Sequence, residues 1–342
     1  MILEDNTKGR LVSRTATVYG VDYPLTRMLT PGGRTLSLIY PSGRTLDFDR
    51  SACACAVNRV STGFEGTTRV LVDDVTYRPF GTAEAQSSGS GGVVQNEHDQ
   101  MSRLVTSNPG AQRERIYAYD DNGNHTGINT PTTPWLNQNF TFDARNRLES
   151  ANGVYGNVTY TYDKVGNRLT RTVDSITETY EYGAGTNRLE RVTGEETINY
   201  TYDMAGNPVS MGGKVLSYND KNRLVQVEEG GMVLGTYTYN GLNQRVIKEV
   251  NGETTVFIYG FDDKLIAESD ATGIFSSEYL YRGDNLLAKV DAATGEIYYC
   301  LNDYLGQPKV LVDDTQQAVW EASYLPFGQA LVNPMSTVEN NI

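Results

Sequence analysis

Tyr160-Thr-Tyr-Asp-Lys-Val-Gly-Asn-Arg-Leu169 is the stretch that decides the fold, because variants of it return along much of the chain. Its second aromatic residue recurs at positions 119, 142, 162, 182, 202, 218, 239, 259 and 281. The period is therefore about 20 residues, which indicates a solenoid or shell built from one small supersecondary unit.

One copy of this phrase predicts a β-hairpin. Alternation along a strand puts Tyr160 and Tyr162 on one face and the intervening Thr on the other. Asp163, at the first position of a type I turn, accepts backbone N–H bonds, and Gly166 tolerates the positive φ that follows. The residues after it return as a second strand, so the loop is a hairpin with a Gly bulge. Asn146 takes the place of Gly in another copy, since Asn also visits the left-handed region.

A single hairpin buries little apolar area, so successive hairpins are expected to join edge to edge and cover their Tyr rings. The predicted fold is all-β: a hairpin solenoid whose antiparallel sheet spirals into a curved wall or partial cocoon. An Arg follows each turn, and it either lies over a Tyr of a neighbouring hairpin or is simply solvated. These arginines are Arg147, Arg168, Arg188, Arg223 and Arg245.

The charge and hydropathy of the chain exclude several partners. A net charge of −13 disfavours phosphate backbones and anionic membranes, so we expect no nucleic-acid partner. High solubility is the simplest meaning of this charge, and attraction of a basic cargo or of calcium is the alternative. No stretch reaches the roughly 20 apolar residues of a membrane span, and residues 1–10 do not read as a secretory signal.

Thiols and imidazoles are too few for most catalytic or metal sites. Cys53, Cys55 and Cys300 are interpreted as structural or free thiols, because an odd number with one tight Cys-Ala-Cys pair does not form a disulfide framework. His98 and His125 are the only histidines, and no nucleophile elbow, Walker loop or dinucleotide fingerprint accompanies them. The sequence therefore nominates no catalytic residue, no cofactor and no metal ligand.

Acidic residues and Tyr rows leave two further alternatives. The stretch 120–124 resembles the start of a calcium loop but lacks the closing Glu, so a hairpin turn explains it better. The pairs Asp73–Asp74, Asp262–Asp263 and Asp313–Asp314 are interpreted as turn formers, since adjacent residues on a strand point to opposite faces. The Tyr rows are expected to pack in the core, and stacking on carbohydrate is the alternative.

Repeat quality divides the chain into three parts. Residues 1–114 hold degenerate repeats with a flexible loop near 86–96, and residues 115–290 hold the regular repeats. Residues 291–342 carry phrases that differ from those of the regular repeats. Short phrases at 70–74 and 77–81 return at 310–314 and 324–328, so the first part is expected to share the architecture of the last. All three parts are expected to form one continuous sheet.

These phrases resemble the YD-repeat, or RHS (rearrangement hot spot), family, which includes bacterial toxin shells, toxin-complex C subunits and teneurins. The segment 298–328, with Asp303, Gly306, Pro308 and Trp320, is similar to the stretch just before that family's conserved core. The resemblance implies a β-shell that encloses a toxin in some members. The sequence has no Asp-Pro-Xaa-Gly-Leu phrase of the self-cleaving core, so neither self-cleavage nor toxin activity is carried over to any residue.

The resulting hypothesis is a non-catalytic shell or scaffold that encapsulates or presents a protein partner, either a toxin cargo or the remaining part of the shell. The second hypothesis is an extracellular module that binds carbohydrate or protein through a Tyr-lined face. An enzyme is the third. We expect a secreted or cell-surface location through a bacterial export system. We also expect the chain to be a fragment, a truncated gene copy or a small member of the family, with open sheet edges that favour self-association.

Overall fold

The fold was described from a computed structural model, which covers residues 2–50, 56–79, 83–110 and 113–341. Within these ranges the chain forms 32 β-strands, one short 3-10 helix at Pro134–Leu136 and no α-helix. Strand pairing assigns the strands to one antiparallel sheet. The all-β antiparallel fold predicted from the repeat is therefore confirmed.

The strands follow one another with short connections. The first sixteen are β1 (Ile2–Asp5), β2 (Leu11–Val18), β3 (Val21–Leu29), β4 (Thr35–Ile39), β5 (Thr45–Arg50), β6 (Val57–Phe64), β7 (Thr67–Tyr77), β8 (Ala83–Ser88), β9 (Val93–His98), β10 (Leu104–Asn108), β11 (Arg115–Tyr119), β12 (His125–Asn129), β13 (Gln138–Phe142), β14 (Leu148–Gly153), β15 (Gly156–Tyr162) and β16 (Arg168–Val173). The others are β17 (Ile176–Tyr182), β18 (Leu189–Thr193), β19 (Thr197–Tyr202), β20 (Pro208–Met211), β21 (Lys214–Tyr218), β22 (Leu224–Glu229), β23 (Met232–Tyr239), β24 (Arg245–Val250), β25 (Glu253–Tyr259), β26 (Leu265–Ser269), β27 (Phe275–Arg282), β28 (Asn285–Asp291), β29 (Ile297–Asn302), β30 (Pro308–Val312), β31 (Ala318–Tyr324) and β32 (Ala330–Val332).

The chain divides into two compact units. The terminal unit comprises Met1–Ile116, Thr130–Thr132 and Val256–Ile342, and the central unit comprises Tyr117–Asn129 and Thr133–Thr255. In both units, strands that are consecutive in sequence pair antiparallel, as β15 does with β16 and β27 with β28. The three-part division by repeat quality stays a prediction about the sequence.

Two kinds of turn alternate along the repeats. At the first kind, the N–H of Asp163 donates to the carbonyl of Asn167 (2.9 Å) and the N–H of Gly166 donates back to Asp163 (3.4 Å). Gly166 has φ of +102°, and the register of β15 against β16 shifts just before the turn. The second kind is a two-residue turn such as Asn251-Gly252, where both residues have positive φ, as type I′ geometry requires. The predicted hairpin with a Gly bulge is thus confirmed.

The segment 86–96 is a hairpin, and its prediction as a flexible loop was wrong. β8 and β9 pair antiparallel across it, and the N–H of Gly89 donates to the carbonyl of Leu71 at 2.8 Å. A Cβ on Gly89 would lie 1.8 Å from the carbonyl oxygen of Val70. Gly is therefore required here for the close approach of two backbones, whereas composition alone indicated a linker.

The central unit shows the alternation expected of one covered face. Tyr160 is buried, Thr161 is exposed and Tyr162 is half-buried along β15. Tyr180 of β17 is buried in the same way. The first aromatic residue of these two copies therefore packs in the core of the central unit, as predicted, whereas Tyr200 and Tyr237 of later copies are half-buried.

The terminal unit is built of two packed layers, which the repeat alone did not predict. Tyr23, Leu46 and Val60 from the beginning of the chain share one hydrophobic cluster with Ile258 and Leu280 from its later part. Every residue of β30 is buried, so this strand is covered on both faces. Beyond β31, Val338 packs against the second hydrophobic cluster, which contains Leu311 of β30, and the N–H of Thr337 donates to the carbonyl of Val319 of β31 at 2.8 Å.

Leu280→Ala should lower the free energy of unfolding by about 2–5 kcal/mol, because Leu280 is fully buried between the two layers of the terminal unit. Ile274→Ala is the matched control, since Ile274 lies in a nearby turn and is 70% exposed. Its cost should stay within about 0.5 kcal/mol. The measurement is urea unfolding at pH 7. Equal losses for the two variants would contradict two-layer packing.

Candidate functional site

The acidic residue of the phrase accepts hydrogen bonds from groups of its own turn. Asp203 accepts the backbone N–H of Asn207 on one carboxylate oxygen and its side-chain amide on the other, both at 2.8 Å. The Asn207 amide lowers the pKa of Asp203 below its ordinary value. Asn219 replaces Asp in a later turn and still accepts a backbone N–H at 3.0 Å. The carboxylate is therefore a turn acceptor and not a free acid or base.

Neighbouring turns of the central unit are linked to one another by side-chain amides. The Asn that closes one turn donates its Nδ2 to the side-chain oxygen of an Asn in the next turn. Three such bonds are Asn124 to Asn146 (2.9 Å), Asn167 to Asn187 (3.0 Å) and Asn207 to Asn222 (2.9 Å). They form what we call the asparagine ladder, which couples successive repeats at one edge of the hairpins.

The second Tyr of the phrase links repeats from the inside. Its hydroxyl donates to a backbone carbonyl at the start of the return strand of the preceding hairpin. The bonds are Tyr162 to Leu148 (2.8 Å), Tyr182 to Arg168 (2.9 Å) and Tyr202 to Leu189 (2.6 Å). The sequence predicted burial of these rings but not the role of the hydroxyl, although the preference for Tyr over Phe at this position was a usable signal.

Several of the arginines after the turns lie over aromatic rings, as one of the two alternatives predicted. The guanidinium carbon of Arg147 is 4.8 Å from the ring centre of Tyr162, and that of Arg168 is 4.4 Å from Tyr180. Arg188 lies over Tyr202 at a longer distance of 5.8 Å. Arg245 instead lies over Tyr237, within its own hairpin, at 5.6 Å.

Polar contacts join the two layers of the terminal unit. Arg44 and Glu278 form an ion pair at 2.6 Å, with side chains only 5% and 2% exposed. Ser42 also donates to Glu278 at 2.5 Å. The hydroxyl of Tyr40 donates to the carbonyl of Tyr279 at 3.0 Å. Nothing in the repeat pattern predicted these contacts, since the partners lie far apart in sequence.

Two cavities lie within the terminal unit. One of about 740 Å³ has a polar lining that includes Arg69 and Asp314, which pair with each other at 3.1 Å. The other, of about 470 Å³, is lined by four arginines and by apolar side chains of both layers. Both volumes are in the range of small-molecule pockets.

Of the paired carboxylates predicted as turn formers, Asp262–Asp263 and Asp313–Asp314 lie in turns, whereas Asp73–Asp74 lies within β7 at a register shift, so the prediction was wrong for that pair. At least one member of each pair has a structural partner. These contacts are Asp73 with Arg59 (3.1 Å), Asp262 with Lys264 (2.6 Å) and Asp313 with the backbone N–H of Gln317 (3.0 Å). Asp120, of the calcium-like stretch, accepts the backbone N–H and the side-chain amide of Asn124 at 2.8 Å each. These oxygens serve turns and ion pairs.

The histidines and the thiols are placed singly. His125 packs against Tyr117, Tyr119 and Phe140, and burial lowers its pKa to about 4. Burial also lowers the pKa of His98 and raises that of the free thiol Cys300. Cys53 and Cys55 lie outside the described residues.

The described ranges contain neither a metal-binding cluster nor a membrane-spanning helix. There, no group of three or more His, Cys, Asp or Glu side chains is placed to hold a metal ion. No helix in those ranges is both long enough and apolar enough to cross a bilayer.

The segment 298–328, which resembles the stretch just before the family's conserved core, also has structural roles. Asp303 accepts the backbone N–H groups of Leu305 (2.9 Å) and Gln307 (3.0 Å), so it too is a turn acceptor. Trp320 is buried against Leu311 in a second hydrophobic cluster. Burial lowers the pKa of Lys309, which lies over the ring of Tyr324, to about 8.

The hairpin period, the linked turns and the stacked rings define a YD-repeat shell protein. Residues 125–337 match the teneurin YD-shell family, and since this is more than half of the chain, the chain belongs to that family. The match is to a shell family rather than to a family of enzymes.

Solved structures share the fold of this chain, and curated proteins are similar to part of it. The Tc holotoxin pore of Photorhabdus luminescens superposes with a TM-score of 0.77 at 17% identity, covering 92% of this chain and 18% of that one. The crystal structure of TcdB2-TccC3 gives a TM-score of 0.76 at 17% identity, covering 98% of this chain and 20% of that one. The tRNA nuclease WapA of Bacillus subtilis (strain 168) is 27% identical over 183 residues, which are 53% of this chain and 8% of WapA. The chain thus spans a small part of each of these proteins.

Tyr182→Phe should lower the free energy of unfolding by about 1 kcal/mol, because it removes the hydroxyl that bonds to Arg168 of the preceding hairpin. Tyr218→Phe is the matched control: Tyr218 holds the same place in the phrase, and its hydroxyl makes no hydrogen bond to the described residues. Urea unfolding should show a difference between the two variants. If both lose the same amount, the hydroxyl does not link the repeats.

Stability should fall in acid as the turn carboxylates are protonated. Hydrogen bonds lower the folded-state pKa of Asp120, Asp143 and Asp203. A depressed folded pKa gives stability that is present above the unfolded value of about 4 and is lost as pH falls through the folded value. We therefore expect the urea concentration at the unfolding midpoint to decrease once the pH is lowered below about 4.

The triple variant Asp120→Asn, Asp143→Asn and Asp203→Asn should show a flatter dependence of the urea midpoint on pH over the same range. Asn is a suitable replacement, since Asn219 already serves one turn as an acceptor. Asp220→Asn is the control, because this exposed carboxylate accepts no hydrogen bond within the described ranges. An unchanged slope in the triple variant would show that acid acts elsewhere.

Proposed function

We propose that this chain is a non-catalytic structural segment of an RHS/YD-repeat shell, which encapsulates or presents a protein partner. The observation that carries the proposal is the coupling of successive hairpins by the asparagine ladder and the Tyr hydroxyls. Such coupling makes a rigid wall from units that are marginal alone. The partner is either a toxin cargo or the remaining part of the shell.

The relatives support a toxin context for this wall. The two structures compared are of a Tc holotoxin pore and of TcdB2-TccC3, and their likeness supports a shell made of the same sheet. A secreted or cell-surface location, reached through a bacterial export system, follows from that context and is part of the proposal. Calcium or a basic cargo would be attracted by the net charge of −13.

The curated relatives are named as nucleases, and this chain matches 8% of the length of WapA. The acidic residues of the repeat are engaged in turns, as Asp163 is by three backbone N–H groups and the Asn167 amide. A carboxylate held in this way is not available for general acid or base catalysis. We therefore place nuclease activity outside the matched part.

Carbohydrate binding is the weaker alternative. A sugar stacks on an exposed ring, but Tyr117, Tyr160 and Tyr180 are buried. The guanidinium of Arg168 covers the ring of Tyr180 from 4.4 Å. No observation on the described residues favours a glycan over a protein partner.

Self-association through sheet edges is part of the same proposal. The two terminal strands of the sheet are β1, which pairs with β2, and β32, which pairs with β31. All residues of both strands are exposed. Both strands are short, with four and three residues, which limits how strongly another chain can add to them.

The shell proposal is tested by isolating the tagged chain from its native source together with a polypeptide bound in stoichiometric amount. In the complex, proteinase K should cleave that polypeptide at least about tenfold more slowly than after its release, because cleavage follows the accessible fraction. The released polypeptide, refolded alone, is the control. Equal cleavage rates would contradict encapsulation.

The non-catalytic part of the proposal needs a separate assay on the full purified chain. Total tRNA should remain intact during prolonged incubation. Cleavage that persists through repurification and disappears in a single-residue variant would make the chain an enzyme.

A further inference from the structure

The hairpin turns of the central unit form two opposite rims of its sheet. Consecutive strands from β13 to β24 pair antiparallel, so the turns between them alternate from one rim to the other. The first rim, which we call the ladder rim because the asparagine ladder runs along it, has turns at 143–147, 163–167, 183–188, 203–207, 219–223 and 240–244. The second, which we call the short-turn rim, has turns at 154–155, 174–175, 194–196, 212–213 and 230–231.

The ladder rim presents mainly positive charge. Counting each turn with the strand residue on either side, its exposed basic residues are Arg145, Lys164, Arg188, Lys221, Arg223 and Arg245. Asp143 and Asp163 are half-buried and accept hydrogen bonds within their turns, so Asp220 is the exposed carboxylate among these turn residues. Glu149 and Glu190 lie one residue further along the adjoining strands. Exposed cations therefore outnumber exposed carboxylates along this rim.

The short-turn rim presents mainly negative charge. Counted in the same way, its exposed acidic residues are Asp174, Glu195, Glu196 and Glu229. Lys214 is the one basic residue of these turns, and its ammonium group lies 3.8 Å from the carboxylate of Glu229. One sheet thus carries opposite charge on its two rows of turns.

Exposed apolar side chains recur along both rims. Met204, which is 99% exposed, and Val165 lie at tips of the ladder rim. Met232, which is 70% exposed, and Ile176 adjoin turns of the short-turn rim. Rows of exposed apolar side chains among charges are typical of a surface that contacts another protein.

The two rims match each other in spacing. Successive turns on one rim are separated by two strands, which places them about 10 Å apart. Both rims belong to the same strands, so this spacing is common to them. A row of five turns is therefore about 40 Å long on either rim and can meet the opposite rim of a second copy turn by turn.

The two rims also match in the order of their charges. One strand joins each ladder-rim turn to the short-turn-rim turn that follows it, and a shift of one copy along the strands brings two such turns face to face. Three facing pairs then carry opposite charges: Lys164 with Asp174, Arg188 with Glu195 and Glu196, and Lys221 and Arg223 with Glu229. Lys214 faces the turn 203–207, which has no basic residue. The one cation of the short-turn rim thus meets a ladder-rim turn that does not repel it.

We propose that the central units of two copies of this chain dock head to tail, with the ladder rim of one copy against the short-turn rim of the other. Such a contact is heterologous, so repeating it gives a row or a closed ring of copies. Unlike strand addition at β1 or β32, it leaves the backbone pairing of the sheet unchanged. The net charge of −13 repels copies at long range, but salt screens that repulsion more strongly than it screens charges in contact.

The first test is sedimentation velocity of the full chain at increasing protein concentration. At about 0.1 M salt, where the Debye length is about 10 Å, the mean molar mass should rise with concentration above that of one chain. At about 1 M salt the Debye length is about 3 Å, and the mass should fall towards that of one chain.

The second test reverses the charge of one rim at a time. The first variant carries Glu195→Lys, Glu196→Lys and Glu229→Lys, and the second carries Lys164→Glu, Lys221→Glu and Arg223→Glu. Each variant alone should sediment as one chain, because its two rims now carry charge of the same sign. An equimolar mixture should form a one-to-one dimer that does not grow, since the unaltered ladder rim of the first variant meets the unaltered short-turn rim of the second.

The matched control is the triple variant Asp22→Lys, Glu65→Lys and Asp284→Lys, which changes the net charge by as much as the first variant does. These three exposed carboxylates lie in the terminal unit, away from both rims. The control should associate as the unaltered chain does. Far-ultraviolet circular dichroism and the urea midpoint of each variant show whether it is folded.

An unaltered chain that sediments as one chain at every concentration at about 0.1 M salt would overturn the proposal. Full association of either folded rim variant alone would place the contact elsewhere, for example at β1 and β32. A mixture of the two variants that stays as single chains would contradict docking of opposite rims. Loss of association in the control would show that net charge, not the rims, governs it.

Discussion

The whole arrangement depends on one side-chain constraint, the carboxylate or amide that closes hairpin turns such as the one at Asp143. Asp143 accepts the backbone N–H groups two and four residues further on, at 2.8 and 3.0 Å. These bonds fix the length of the loop and the bulge that precedes it. Side chains alternate between faces with a period of two, so one extra residue in the loop would move every Tyr of the next strand to the wrong face. The position of the rings is therefore set at the turn.

Correct placement of the rings lets each repeat bond to its neighbour. A Tyr hydroxyl such as that of Tyr182 reaches the preceding hairpin only when its ring points inward. At the edge, the asparagine ladder joins the turns at the same spacing. Each bond contributes about 1 kcal/mol, which is small alone but is repeated along the sheet. Stability in the central unit is thus a sum of interactions between nearest neighbours, as in other repeat proteins.

The difference between local contacts and contacts of residues distant in sequence explains what the sequence could predict. The turn at Asp163, the bulge at Gly166 and the inward Tyr160 are local, since all their causes lie within about ten residues. The contact of Tyr40 with Tyr279 joins residues 239 positions apart, and no local pattern reveals such a partner. The hairpin at 86–96 was missed for a related reason: Gly89 is required by a neighbouring strand, and a Gly-rich composition looks the same in a linker and in a close backbone contact. The cavity of about 470 Å³ in the terminal unit depends on the same distant pairing and was not predicted either.

In the terminal unit two aliphatic layers must be aligned with each other, which the repeats alone do not require. Burial of Leu46 against the later strands gains similar free energy in neighbouring registers, because the hydrophobic effect has no direction. The buried pair of Arg44 and Glu278 does have direction, and a buried charge that loses its partner costs about 3–5 kcal/mol. Sliding of one layer over the other would therefore be penalised by the separation of Arg44 from Glu278, even where apolar contact is kept. The ion pair adds little net stability for its burial, and its direction favours the alignment of the two layers that keeps Arg44 beside Glu278.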